Sequence, residues 1–200
     1  MHRHVRARGF SLVELLVVMV LTLLAYVYMY GPSSAMGQGK RKAQCAQHLQ
    51  AMHAALALFA AEHNGAFPVV AGAKASEAPL SLLVPLYTTD TSIFICPGTG
   101  DSELPGALPF ADRRCSYAYT MGLSATTPPE TALVSDPQVN ASAKAVGEPL
   151  FSSSGKAPGA NHRAFGGSVL FVDGHVETSG PVATRAFTFP ASAVLLDPKP

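Results

Sequence analysis

The chain contains no G-x-S-x-G elbow, no H-E-x-x-H pair and no phosphate-cradling glycine loop, so the common signatures of hydrolase, metalloprotease and nucleotide chemistry are missing. Ser152-Ser153-Ser154 stand in a Gly/Ser/Pro stretch that reads as linker, and a hydrolase built on His162 and Asp173 would have no identified nucleophile. The expectation is a protein that is not an enzyme. Charge is scarce as well: 14% of residues are charged, the formal net charge is +1, and no basic stripe follows the first eight residues apart from Lys40-Arg41-Lys42. This argues against a nucleic-acid partner, whose phosphates need a cationic face. The three basic residues are expected near lipid headgroups or on a solvated helix face. Cysteine is limited to Cys45, Cys96 and Cys115 without C-x-x-C spacing, which leaves a zinc site as the sharper but less supported alternative to a disulfide. Tryptophan is absent and excludes nothing.

What the chain does have is a long apolar run. From Phe10 to Tyr30 the only charged or hydroxyl-bearing residues are Ser11, Glu14, Thr22, Tyr26, Tyr28 and Tyr30. At about 1.5 Å per residue the run is ~30 Å long, enough to span a bilayer. Met1 to Arg8 carry three arginines and no acid, which holds that end in the cytoplasm and sends the rest outward. Glu14 is the oddity. An ionisable group in hydrocarbon costs on the order of a few kcal/mol and persists with a partner or a function, and a lone helix is expected to offer no partner. A secretory signal peptide cut near Ser33-Ser34-Ala35 would have a shorter apolar core, and a plain single-pass anchor would explain the length but not Glu14.

Gly9-Phe10-Ser11-Leu12-Val13-Glu14 resembles the prepilin junction of type IV pilins and type II secretion pseudopilins: a basic leader, Gly/Phe, T/S-L-x-E, then an apolar helix. The resemblance implies cleavage between Gly9 and Phe10 by a prepilin peptidase, N-methylation of Phe10, and pairing of the Glu14 carboxylate with the terminal amine of a neighbouring subunit as a register device. It implies an α+β pilin-like fold in four parts: a leader (1–9), a transmembrane and filament-core helix (10–30), its amphipathic continuation (31–68) and an extracytoplasmic head (69–200). It also implies a structural role in a pseudopilus or pilus-like filament. The partners would be other pilin subunits, an inner-membrane assembly platform and the membrane itself. A tethered extracytoplasmic binding module that builds no filament is the alternative.

Gly31-Pro32-Ser33-Ser34 is expected to interrupt the first helix. Leu49, Met52, Leu56, Phe59 and His63 then repeat at three- and four-residue steps, predicting an amphipathic helix over about 38–64 closed by Asn64-Gly65. Cys45 to Leu49 and Phe59 to Pro68 resemble the pseudopilin patterns C-x-x-N-L and Y/F-x-x-x-[NH]-[NG]-G-x-[FY]-P, with His48 in place of Asn. Leu80 to Tyr87 reads as a short helix or turn and Gly98 to Pro109 as a surface loop. Phe94-Ile95-Cys96-Pro97 and Cys115-Ser116-Tyr117-Ala118-Tyr119 resemble the "F-x-C-P … S-Y-x-Y" pairing of such proteins.

Thr131 to Asp136 predicts a strand ending in a carboxylate. Ser168 to Glu177 predicts the closing hairpin of the sheet, with a two-residue Asp173-Gly174 turn. Residues 161–177 resemble an H-X9-DG segment, although ten residues separate His162 from Asp173, which suggests an insertion at Ala164-Phe165. Cys96 and Cys115 are expected to pair across the loop between them, contributing about 3 kcal/mol, with Cys45 a small buried hydrophobe. No cofactor is expected beyond a low-ranked calcium ion on Asp136 and Asp173, favoured there over zinc although the nearby His162 and His175 suit it poorly.

Overall fold

The computed structural model describes residues 11–31, 34–99, 110 and 113–199. Two compact units divide the chain, one up to Gln38 and one from Gly39 onward. The expected α+β, pilin-like arrangement is what forms: a long apolar helix, a second helix and a five-stranded antiparallel sheet.

Helix α1 spans Leu12–Tyr30 and has no buried residue. Apolar side chains cover its whole circumference, so nothing in its own sequence selects a face to bury. Ser11 caps it from an extended backbone conformation (φ −72°, ψ 144°). Gly31 ends it with an N–H bond to Val27 O at 2.8 Å, where a Cβ would collide with that same carbonyl. Pro32 and Ser33 lie outside the described residues. The expected interruption of the helix is seen in the gap between Tyr30 and the start of α2.

Helix α2 spans Ala35–Glu62. Cys45, Leu49, Met52, Leu56 and Phe59 form its buried stripe, while Gln44, Gln47 and Gln50 face solvent. His63 falls outside this stripe. It is exposed and stacks on Phe59 with 3.8 Å between ring centroids. The helix closes where Asn64 and Gly65 take positive φ and Gly65 N–H reaches back to Ala60 O.

Beyond α2, α3 (Glu77–Leu80) and two short 3₁₀ turns lead to the sheet. Its strands are β1 (Ala118–Met121), β2 (Ala132–Ser135), β3 (Gly167–Phe171), β4 (Val176–Ser179) and β5 (Val194–Leu196), in the order β4-β3-β2-β1-β5. The sheet therefore does not close on the β3–β4 hairpin as expected. The chain returns across it, and β5 pairs with β1 at the opposite edge. The hairpin turn also holds three residues rather than two: Phe171 N bonds His175 O, and Gly174 supplies the positive φ (+90°) that follows the turn.

Alternation along the strands sends side chains to two covered faces. Tyr117, Tyr119, Leu133 and Leu170 join the α2 stripe, with Leu80, Leu83 and Phe94 filling the edge of this core. Ala132, Val169 and Phe171 point the other way and meet Leu150, Phe151, Ala183 and Phe187 from the connecting loops. Three of the five strands are consequently buried almost throughout, which gives them near-continuous apolar runs.

Candidate functional site

Two places carry chemistry, one in each unit. In the first, Glu14 is not without a partner: its Oε2 accepts the Ser11 N–H at 2.9 Å. Ser11 and Glu14 stand at the S-x-x-E spacing of a capping box, a signal present in the sequence itself. Thr22 is satisfied in the same local way, donating to Val18 O and Met19 O. Glu14 and Thr22 thus find hydrogen-bond partners within the helix start and the helix itself, and the rest of the surface from Leu12 to Leu24 is apolar. Gly9 and Phe10, the expected cleavage and methylation residues, lie outside the described residues.

The second place is a buried polar cluster where α2, the segment around Cys96, the end of β2 and the loop before β3 meet. Its disulfide joins Cys45 to Cys96, with Cα atoms 5.6 Å apart. This corrects the expected Cys96–Cys115 pairing. Cys45 lies one helical turn before Leu49 on the buried stripe and faces Cys96. Cys115 Sγ instead packs against Phe94 O and the Tyr117 backbone, and burial pushes its thiol up to about 12. Among the described residues it is a free, unreactive thiol.

His162 and Asp136 complete the cluster. His162 is fully buried, with Nε2 3.3 Å from Cys96 Sγ and 3.6 Å from Asp136 Oδ2. Burial drops its pKa to about 4, helped by the positive charges of Lys42 and Arg41, so the ring is neutral at pH 7 and the contact with Asp136 is no ion pair. Asp136 is raised to about 6 by burial, while hydrogen bonds from Asn161 Nδ2 (2.6 Å) and Ser168 N (2.8 Å) favour its charged form. Gly98 lies flat against the imidazole, because a Cβ there would strike His162 Nδ1 and Asn161 O.

Asp173 belongs elsewhere. It sits in the β3–β4 turn, partly exposed, and holds His175 through Oδ1 at 2.6 Å. Asp136 N bonds Ser168 O at one end of the β2–β3 pair, and Val172 N bonds Thr131 O at the other. The two carboxylates are thus separated by the length of the strands and cannot share a calcium ion.

Helix α2 also grips the loops with polar residues that the sequence left unassigned. His48, at the position of the pattern's Asn, bonds Ile95 O at 2.9 Å beside Cys96. His53 bonds Val172 O and packs on Gly174, so that glycine is required by the helix as well as by the turn. Lys42 is half-buried and donates to Phe165 O and Ser179 O, which corrects its expected place on a solvated face. Glu77, fully buried in α3, accepts the Cys115 and Lys199 N–H groups and ties the tail to the entrance of β1.

Residues 5–25 match the family model of the prokaryotic N-terminal methylation motif. The chain therefore carries the prepilin signature of type IV pilins and pseudopilins over residues 5–25, which take in the first 14 of the 19 residues of α1. No curated protein and no solved structure is significantly similar to the chain.

Proposed function

We propose that the chain is a structural subunit, a pseudopilin or minor pilin. Prepilin peptidase cuts it after Gly9, Phe10 is N-methylated, and residues 10–30 hold the mature chain in a bacterial inner membrane with the head in the periplasm. An inner-membrane assembly platform then draws it into a filament alongside other subunits. The observation that carries this reading is the coincidence of the methylation motif with a helix whose side chains are uncovered all round. An apolar face of this kind needs lipid before extraction and the equivalent helices of neighbours afterwards. Glu14 has two successive partners in this reading. Its carboxylate holds the Ser11 amide at the helix start, and in the filament it takes up the methylated amine of the next subunit in a low dielectric.

Co-expression with a prepilin peptidase and an assembly platform, followed by shearing and sedimentation, tests the reading. Filaments containing the chain are the expected product. Recovery of processed chain in the membrane fraction alone would favour the tethered module.

A further inference from the structure

We propose that Cys45, Cys96, Asp136 and His162 form a closed binding site for a zinc-like divalent cation once the disulfide is reduced. One ligand atom from each lies within 4.8 Å of the other three, and all four residues are buried. Tetrahedral zinc with bonds of about 2.0–2.3 Å places its donors roughly 3.3–3.8 Å apart. Two of the separations, 3.3 Å from His162 Nε2 to Cys96 Sγ and 3.6 Å from it to Asp136 Oδ2, already fall in that range.

Three further observations point to a ligand. His162 is fully buried, and its Nε2, the nitrogen turned toward the cluster, meets only a disulfide sulfur within bonding reach. A buried imidazole so poorly served calls for an explanation such as a bound ion. Gly98 N–H points at Cys96 Sγ from 3.3 Å, a donor that would stabilise a thiolate. Asp136 is oriented by Asn161 Nδ2 and Ser168 N, the outer-shell support that ligating carboxylates need. Charge is nearly balanced: two thiolates, one carboxylate and a dication sum to −1, and Lys42 stands close enough to act electrostatically on Asp136. The soft sulfur and nitrogen donors select zinc over calcium or magnesium. Four protein ligands leave no open position, so the site is structural.

Occupancy requires reduction. A dithiol transfers two electrons and two protons to the Cys45–Cys96 bond, becoming a disulfide itself and leaving two thiols. Metal binding then releases both thiol protons to solvent. The same four residues thus staple α2 to the sheet covalently under oxidising conditions and through a metal under reducing ones.

The test is cobalt(II) and zinc(II) titration of the full chain in detergent, reduced and oxidised. The reduced chain is expected to bind one cobalt with the intense visible bands and thiolate charge-transfer absorption of a tetrahedral site. Zinc should displace the cobalt and raise the thermal midpoint of the reduced chain. The oxidised chain should do neither. Asp136→Asn and His162→Gln should each weaken binding by about 10- to 100-fold or more, and Cys115→Ser should leave it unchanged. Absence of cobalt binding, equal binding by the His162→Gln chain, or a reduced chain that is unfolded and stays so with zinc would each overturn the proposal.

Discussion

The two helices of this chain solve opposite problems. Helix α2 carries one buried stripe, from Cys45 to Phe59, covered by the sheet and its flanking turns, while Met36 and Leu58 stay exposed. Helix α1 has apolar residues on every side, and none of them is buried. A stripe can be satisfied by one partner surface from the same chain. A fully apolar cylinder can be satisfied only by surroundings, which here means lipid or a bundle of like helices. The polar residues follow the same division. On α1, Glu14 and Thr22 bond locally, whereas on α2 Lys42, His48 and His53 reach backbone groups more than forty residues away in sequence.

The contrast can be broken most severely at Glu14. Glu14→Leu makes α1 more apolar and removes the proposed partner of the neighbour's amine. Filament yield should fall to background in a shear assay while membrane insertion stays intact. Normal assembly would refute the role given to Glu14.

On the α2 side, the Cys45→Ala/Cys96→Ala double variant opens a loop spanning 51 residues in sequence. In the presence of a metal chelator, denaturant unfolding of the head should show a loss of about 4 kcal/mol on the chain-entropy account. Cys115→Ser should cost only about 1–2 kcal/mol, as a polar change in a packed site. Equal costs for the two would return Cys115 to the disulfide.

The buried pair gives a test by pH. Asp136 is raised to about 6 in the fold, so its protonation stabilises the head as pH falls from 6 toward 4. His162 is lowered to about 4, so the unfolded chain binds its proton first and the head loses stability as pH falls from 6.5 toward 4. The two slopes oppose each other, and the unmodified head should be nearly flat in this window. His162→Gln should expose the Asp136 slope, with stability rising on acidification by up to about 1.4 kcal/mol per pH unit, and Asp136→Asn should expose the reverse. Urea midpoints at several pH values would show it. The smallest effect is expected at His63→Ala. It removes one exposed ring stacked on Phe59 and should cost about 0.5–1 kcal/mol by thermal unfolding.

Much of the fold was readable because it depends on local periodicity. The repeat from Leu49 to Phe59, the Asn64-Gly65 stop, the strand ending at Asp136 and the hairpin around Gly174 are short-range patterns, and the chain follows them. The missed elements depend on distant partners. β5 is three residues in a proline-bearing tail, and what makes it a strand is the free edge of β1. The expected Cys96–Cys115 pairing rested on the flexible loop between two strand-like segments, whereas the observed disulfide depends on α2 bringing Cys45 to Cys96. Extending the helical stripe back one turn from Leu49 to Cys45 was the signal that could have found it. Cys45, Cys96, Asp136 and His162 come from four separate segments, and no spacing rule joins them before the sheet does.

The central claim is that α1 is the assembly helix of a processed prepilin. Intact-mass and N-terminal peptide mass spectrometry on the protein from its native membrane tests it most directly. The expected result is a chain beginning at N-methylated Phe10. An intact Met1, or a chain beginning at Met36 after signal-peptide cleavage, would contradict it.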